Sequence, residues 1–141
     1  SIASNLAGKA ISISKTTAPH AVSYPFTSLF GISHGHAVGL FFESFFKFNF
    51  ENLDKSETSF DLKKRFDLIF NLFDVKDIND FTTKIISIKK QAKLEDNLNI
   101  LNIDIEQNFE KIIKGINLLR LGNNPVKING NDIYNIISKV V

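Results

Sequence analysis

Leu62-Lys63-Lys64-Arg65-Phe66-Asp67-Leu68-Ile69-Phe70-Asn71-Leu72-Phe73 sets the period for the whole chain. Leu62, Phe66, Ile69, Phe70 and Phe73 fall at i, i+4, i+7, i+8 and i+11, one apolar stripe on an α-helix. Downstream, Ile78, Phe81, Ile85 and Ile86 repeat the spacing, as do Ile105, Phe109, Ile112, Ile113 and Ile116. Ile133, Ile136, Ile137 and Val140 close the chain in the same way. Asp77 and Asp104 stand where a carboxylate can accept from the free N–H groups of a first turn, and Gln107 follows Asp104 by three. No segment alternates with period two. Leu98, Ile100, Leu101 and Ile103, around Asn97 to Asn102, suit either a short extended connection or a helix end. Gly122-Asn123-Asn124-Pro125 predicts a loop, because Pro125 lacks an N–H and pushes Asn124 out of the helical region. Gly130-Asn131 then opens the last helix. The fold class is therefore all-α, a bundle of about six or seven helices in one domain over residues 1–141.

Composition narrows the functions available. The 141 residues are 43% hydrophobic and 23% charged, enough for one core and too few for two ordinary domains. Seventeen basic and 15 acidic residues give a net charge of +2, without the basic stripe that nucleic-acid binding requires. Lys63-Lys64-Arg65 and Lys89-Lys90 read as solvated helix faces, since acidic residues are interspersed. No Cys is present, which removes disulfides, Cys-based zinc sites and Cys nucleophiles. No apolar run approaches the roughly 20 residues of a bilayer span, and no signal peptide is expected. The absence of Met and the start at Ser1 fit a piece of a longer protein as well as a processed start.

Upstream of residue 50 the texture changes. Ser1 to Lys15 is small and mostly apolar, which predicts a central, well-buried helix. Thr16-Thr17-Ala18-Pro19 reads as a helix start, with Thr17 or Ala18 at the cap and Pro19 in the first turn. That helix should run from Ala18 to about Ser28 and be bent or cut short by Pro25. Gly31 allows a turn. Ser33 caps a helix whose apolar face carries Val38, Phe41, Phe42, Phe45 and Phe46.

All three histidines lie here: His20, His34 and His36. His20 near the start of one helix and His34 near the start of the next can meet at one point, and neutral imidazole is a good ligand for Fe²⁺ or Zn²⁺. Alternatively, His20 caps or packs while His34 and His36 are polar groups at a helix start. His34 and His36 are about 200° apart on a helix and should face opposite sides.

The run Thr17-Ala18-Pro19-His20-Ala21-Val22-Ser23-Tyr24-Pro25-Phe26-Thr27, with Phe30-Gly31-Ile32-Ser33-His34-Gly35-His36-Ala37-Val38, resembles the metal-binding region of the iron-containing (group III) alcohol dehydrogenases. Ser4-Asn5-Leu6-Ala7-Gly8-Lys9-Ala10 is similar to the small-residue helix leading into that region. Asn123-Asn124-Pro125-Val126 and Asp132-Ile133 are similar to the closing loop and last helix. The wording around the histidines looks closest to the branch containing phosphonate-aldehyde reductases.

The resemblance implies a dehydroquinate synthase-like enzyme, with an N-terminal nucleotide-binding α/β domain, a C-terminal helical domain and a metal in the cleft between them. Family ligands are an Asp and a His four residues apart, then two further His residues, which His20 and His34 match. The Asp-x-x-x-His pair and the glycine-rich phosphate segment are not in this sequence. The chain thus resembles the C-terminal part of such an enzyme, truncated inside the helical domain.

Many relatives carry a proton-transferring His where this chain has Tyr24. Tyr24 and His36 are the local candidates for that catalytic role; the alternatives are a packed aromatic and a solvated helix residue. The implied cofactors are a divalent metal, Fe²⁺ ahead of Zn²⁺, and NAD(P) held mainly by the N-terminal domain. The implied substrate is a small aldehyde or primary alcohol, in a cytoplasmic enzyme, with the N-terminal domain and a second copy of the chain as candidate partners and neither nucleic acid nor membrane among them. The chain alone is expected to be inactive. The competing expectation is a non-catalytic helical remnant serving as a scaffold or dimerisation unit.

Overall fold

Asp61 and Asp77 accept hydrogen bonds from the first-turn N–H groups of two helices, α4 (Leu62–Phe73) and α5 (Ile78–Gln91), as the spacing predicts for Asp77. The computed structural model describes residues 2–140. Ahead of this pair lie α1 (Ile2–Ile13), α2 (Ala18–Phe30) and α3 (His34–Glu51); behind it lie α6 (Ile105–Gly115), α7 (Leu118–Leu121) and α8 (Gly130–Ile137). Single 3₁₀ turns cover Leu53–Lys55 and Ser138–Val140. Eight α-helices among the described residues slightly exceed the expected number, because the four-residue α7 carries no periodic stripe. An isolated antiparallel bridge joins Ser56 to Val126, and no strand forms among the described residues.

The 18-residue α3 is the central element, with apolar groups on two faces. Ala37, Leu40, Phe41 and Phe45 join Val22 and Phe26 of α2, Ile112 of α6 and Ile133 and Ile137 of α8 in the main core. Phe42, Phe46 and Phe50 turn the other way and meet Phe66 and Phe70 of α4 and Phe81 of α5. There Phe46 stacks on Phe81 at 4.3 Å and Phe66 meets Phe46 edge-on at 4.7 Å. Such ring pairs add about 0.5–1.5 kcal/mol each beyond simple burial. The abundant phenylalanine is therefore packing material for a second core.

Lys89 departs from the expected solvated face. Its side chain is 7% exposed and its Nζ lies 2.5 Å from Glu43 on α3 and 3.6 Å from Asp96. Lys63 and Lys64 do stay in solvent, beside Asp67 and Asp61.

The expectation of a buried first helix is corrected. Every described residue of α1 is exposed, Ile2 and Ile13 at 83% and 90%. Its Ile2, Leu6 and Ile13 share one face, but α1 contributes to neither core cluster of the described residues.

The expectation that Pro25 ends its helix early is corrected as well. The helix runs through it to Phe30 and ends at Gly31, whose left-handed φ of 69° lets its N–H reach the Thr27 carbonyl. Pro25 cannot donate to the Ala21 carbonyl one turn back. That carbonyl instead accepts from the backbone N–H of Asn117 at 3.4 Å, just ahead of α7. Gly115 sits against the same ring: a Cβ there would lie 2.9 Å from Pro25 Cβ. Pro25 is thus the point at which the α6–α7 corner docks on α2.

Asn97 to Asn102 is neither an extended connection nor a helix end. It is a surface turn that sends one side chain inward: Asn97 Oδ1 accepts from the Asn99 and Ile100 amides, Asn102 takes a left-handed φ of 57°, and Leu98 is fully buried. At the last helix the cap is Asn129, which exchanges hydrogen bonds with Asp132 in a reciprocal capping box.

Candidate functional site

The α2–α3 hairpin carries the site. Thr17 takes the extended conformation before α2 and Pro19 occupies its first turn, where a missing N–H is harmless. This sets His20 in the first turn of α2. Ser33 stands at the corresponding position of α3, so His34 is that helix's first residue. The tight Gly31 turn folds the two helices together. The His20 and His34 rings lie 5.2 Å apart between centroids, inclined at 51°. Tyr24, one turn beyond His20, places its ring 5.5 Å from His34.

Protonation at this point follows from the hydrogen bonds. Ser23 is fully buried and its hydroxyl donates to the His20 carbonyl at 2.8 Å. A hydroxyl has one proton, and the carbonyl has none to offer. At the 3.2 Å contact between Ser23 Oγ and His34 Nδ1, the ring must therefore be the donor. His34 thus carries its proton on Nδ1 and keeps the Nε2 lone pair open. His20 is held below the usual imidazole pKa, first by burial, then by His34 and Arg120 beside it. The neutral, electron-donating form of His20 is favoured, which is the form a metal needs.

His36 stands elsewhere. Its Nε2 is 2.5 Å from the Glu95 carbonyl oxygen, on the connection after α5. The structure therefore brings together His20, His34 and Tyr24 of the predicted residues, with His36 engaged on a different element.

Two residues escape a sequence reading. Arg120 of α7 lies with its guanidinium carbon 5.4 Å over the Tyr24 ring, and its Nη1 donates to Thr16 Oγ1. Ser23 sits on the same helix face as His20. Neither forms a recognisable motif with the histidines; only Ser23, three residues after His20, carried a local signal.

Two imidazoles in their neutral forms suit a divalent cation as two of its ligands. Among the described residues no group of three or more His, Cys, Asp or Glu could complete a metal shell. The arrangement is a partial donor set on a helical hairpin, with a phenol and a guanidinium beside it.

A helical domain that presents paired imidazoles from two successive helix starts offers two neighbouring nitrogen donors from one hairpin. The chain belongs to the Fe-containing alcohol dehydrogenase family, whose C-terminal domain matches it over residues 1–141. Phosphonoacetaldehyde reductase of Streptomyces viridochromogenes is 38% identical over 47 residues, 33% of this chain and 12% of that protein. Sulfoacetaldehyde reductase from Bifidobacterium kashiwanohense, solved in complex with NAD⁺, shares the fold with a TM-score of 0.71 at 26% identity. That match covers 89% of this chain and 31% of the solved one, so the chain spans less than a third of its neighbour's length.

Proposed function

We propose that this chain is the metal-holding helical part of an NAD(P)-dependent aldehyde reductase. The observation that carries the reading is the convergence of the His20 and His34 rings at 5.2 Å, with Ser23 leaving His34 Nε2 free. Family membership and the two reductase relatives support the reaction class. When bound, a divalent cation, Fe²⁺ first and Zn²⁺ second, supplies Lewis acidity toward a carbonyl oxygen during hydride transfer.

His20 and His34 would hold that cation, and the remaining ligands and the nucleotide site belong to other parts of the parent enzyme. Tyr24 is the better placed of the two expected proton donors, because its ring packs on His34 while His36 is tied to Glu95. Arg120 lies over the Tyr24 ring and holds it beside His34.

The test uses the full-length parent protein. His20→Ala and His34→Ala should each lower bound iron or zinc and reduce NAD(P)H-dependent aldehyde reduction by orders of magnitude. Metal content and activity that survive in the double variant refute the assignment. The 141-residue chain by itself should show no such activity.

A further inference from the structure

We propose that the cleft beside Arg120 is an anion subsite, which takes the oxyanion group of a short aldehyde substrate such as a phosphonate or sulfonate. The proposal deepens the reductase reading and rests on it for the aldehyde end. Its anion end rests on this chain's own residues.

The cleft has a volume of about 450 Å³ and opens between the end of α1 and α7. Its polar lining is Ser14, Lys15, Thr16, Asn117, Arg120 and Asn123, with no Asp or Glu. Two cations therefore face one concavity without a counter-charge. Arg120 forms no ion pair with any described carboxylate. A guanidinium is always charged and offers five donors in a planar fork. One donor goes to Thr16 Oγ1, and the Tyr24 face supports the plane from one side.

Thr16 is itself pinned, because its carbonyl accepts from Asn123 Nδ2 at 3.1 Å. Arg120 is also fixed at its backbone, where its N–H donates to Asn117 Oδ1 at 3.0 Å. A guanidinium held by Thr16 Oγ1 and the Tyr24 ring, with donors unused, is preorganised for a tetrahedral oxyanion, which it grips through paired hydrogen bonds.

Position supplies the rest. Tyr24 is in ring contact with His34, at 5.5 Å, and with the Arg120 guanidinium, at 5.4 Å. Arg120 is thus the residue common to the cleft and to the Tyr24 ring that packs on His34, which sets an anion held in the cleft one aromatic ring away from the imidazoles. Arg120 and a cation at the histidines would repel each other; an anionic group held at Arg120 offsets that repulsion. A neutral aldehyde cannot.

A nucleotide phosphate offers the same chemistry, so the experiment separates the two sources. The metal-free chain is titrated with methylphosphonate, with methanesulfonate and, separately, with adenosine 2′-phosphate, while the Arg120 Nε–H resonance is followed. Methylphosphonate should give a saturable shift there. Arg120→Gln should weaken its binding about tenfold or more, and Arg120→Lys should fall between, since it keeps the charge and loses the fork. Unchanged affinity in Arg120→Gln overturns the subsite. Tighter binding of adenosine 2′-phosphate than of methylphosphonate overturns its assignment to substrate. Should the Gln variant fail to fold, an Arg120 resonance that does not move in the wild-type chain refutes the proposal by itself. His20→Ala/His34→Ala should retain the methylphosphonate response, so failure of the metal reading would be seen separately from failure of this one.

Discussion

Replacing Lys89 by Met should remove more stability than any other single exposed-looking lysine in the chain. The Lys89 and Glu43 side chains are 7% and 9% exposed, and Nζ lies 2.5 Å from Glu43 Oε1. The other oxygen, Oε2, is buried with no partner among the described residues. Lys89→Met therefore leaves a carboxylate enclosed between α3 and α5 with no compensating charge. Breaking a buried pair from one side costs about 3–5 kcal/mol. Asp96, 3.6 Å away and one-third exposed, adds little because solvent screens it. With a urea slope of about 2 kcal/mol/M, the midpoint should fall by roughly 2 M, read by circular dichroism at 222 nm. The double variant Glu43→Leu/Lys89→Met should recover most of the loss, because a well-packed apolar pair removes both desolvation penalties. A loss below about 1 kcal/mol for Lys89→Met, or a double variant no more stable than the single, would show that the pair is solvated and the reasoning wrong.

Two further outcomes follow from the hairpin. In the metal-free chain, ¹⁵N correlation spectra should show His34 protonated on Nδ1, and Ser23→Ala should shift it toward the Nε2–H form; an Nε2–H ring in the wild type would contradict the proton assignment. Because burial, His34 and Arg120 lower the His20 pKa on folding, the unfolded chain binds more protons between the folded value and about 6.5. Stability from this residue is present above that range and lost as pH falls through it, so His20→Gln should flatten the pH dependence of the urea midpoint there, and an unchanged slope would count against it.

Much of this was legible from one period. The stripes at Leu62–Phe73 and Ile105–Ile116, the Asp77 and Asp104 caps and the Thr17–Pro19 start all depend on neighbours within a turn or two, so sequence spacing carries them. The features that escaped are set by partners far along the chain. Lys89 looks solvated beside Lys90 until Glu43 arrives from α3. Pro25 reads as a helix breaker until Asn117 takes the carbonyl it leaves open. The two-faced use of α3 was hidden because Phe41, Phe42, Phe45 and Phe46 give a continuous apolar band with no polar residue to divide it. In the site, the histidine spacing left both convergence and divergence open, and the Gly31 turn resolves it; Arg120, a hundred residues downstream of His20, left no local trace.

The proline in the middle of α2 has a role beyond tolerance. By withholding one donor it leaves the Ala21 carbonyl without its helical mate, and a distant corner of the chain, at Asn117, fills it. Restoring the donor with Pro25→Ala would give the helix its own bond back and remove the ring against which Gly115 sits. The guanidinium would then lose its moorings although the helix that carries the histidines had gained regularity. Local perfection of a helix and correct assembly of a site can pull in opposite directions, and here a built-in vacancy settles the contest in favour of the site.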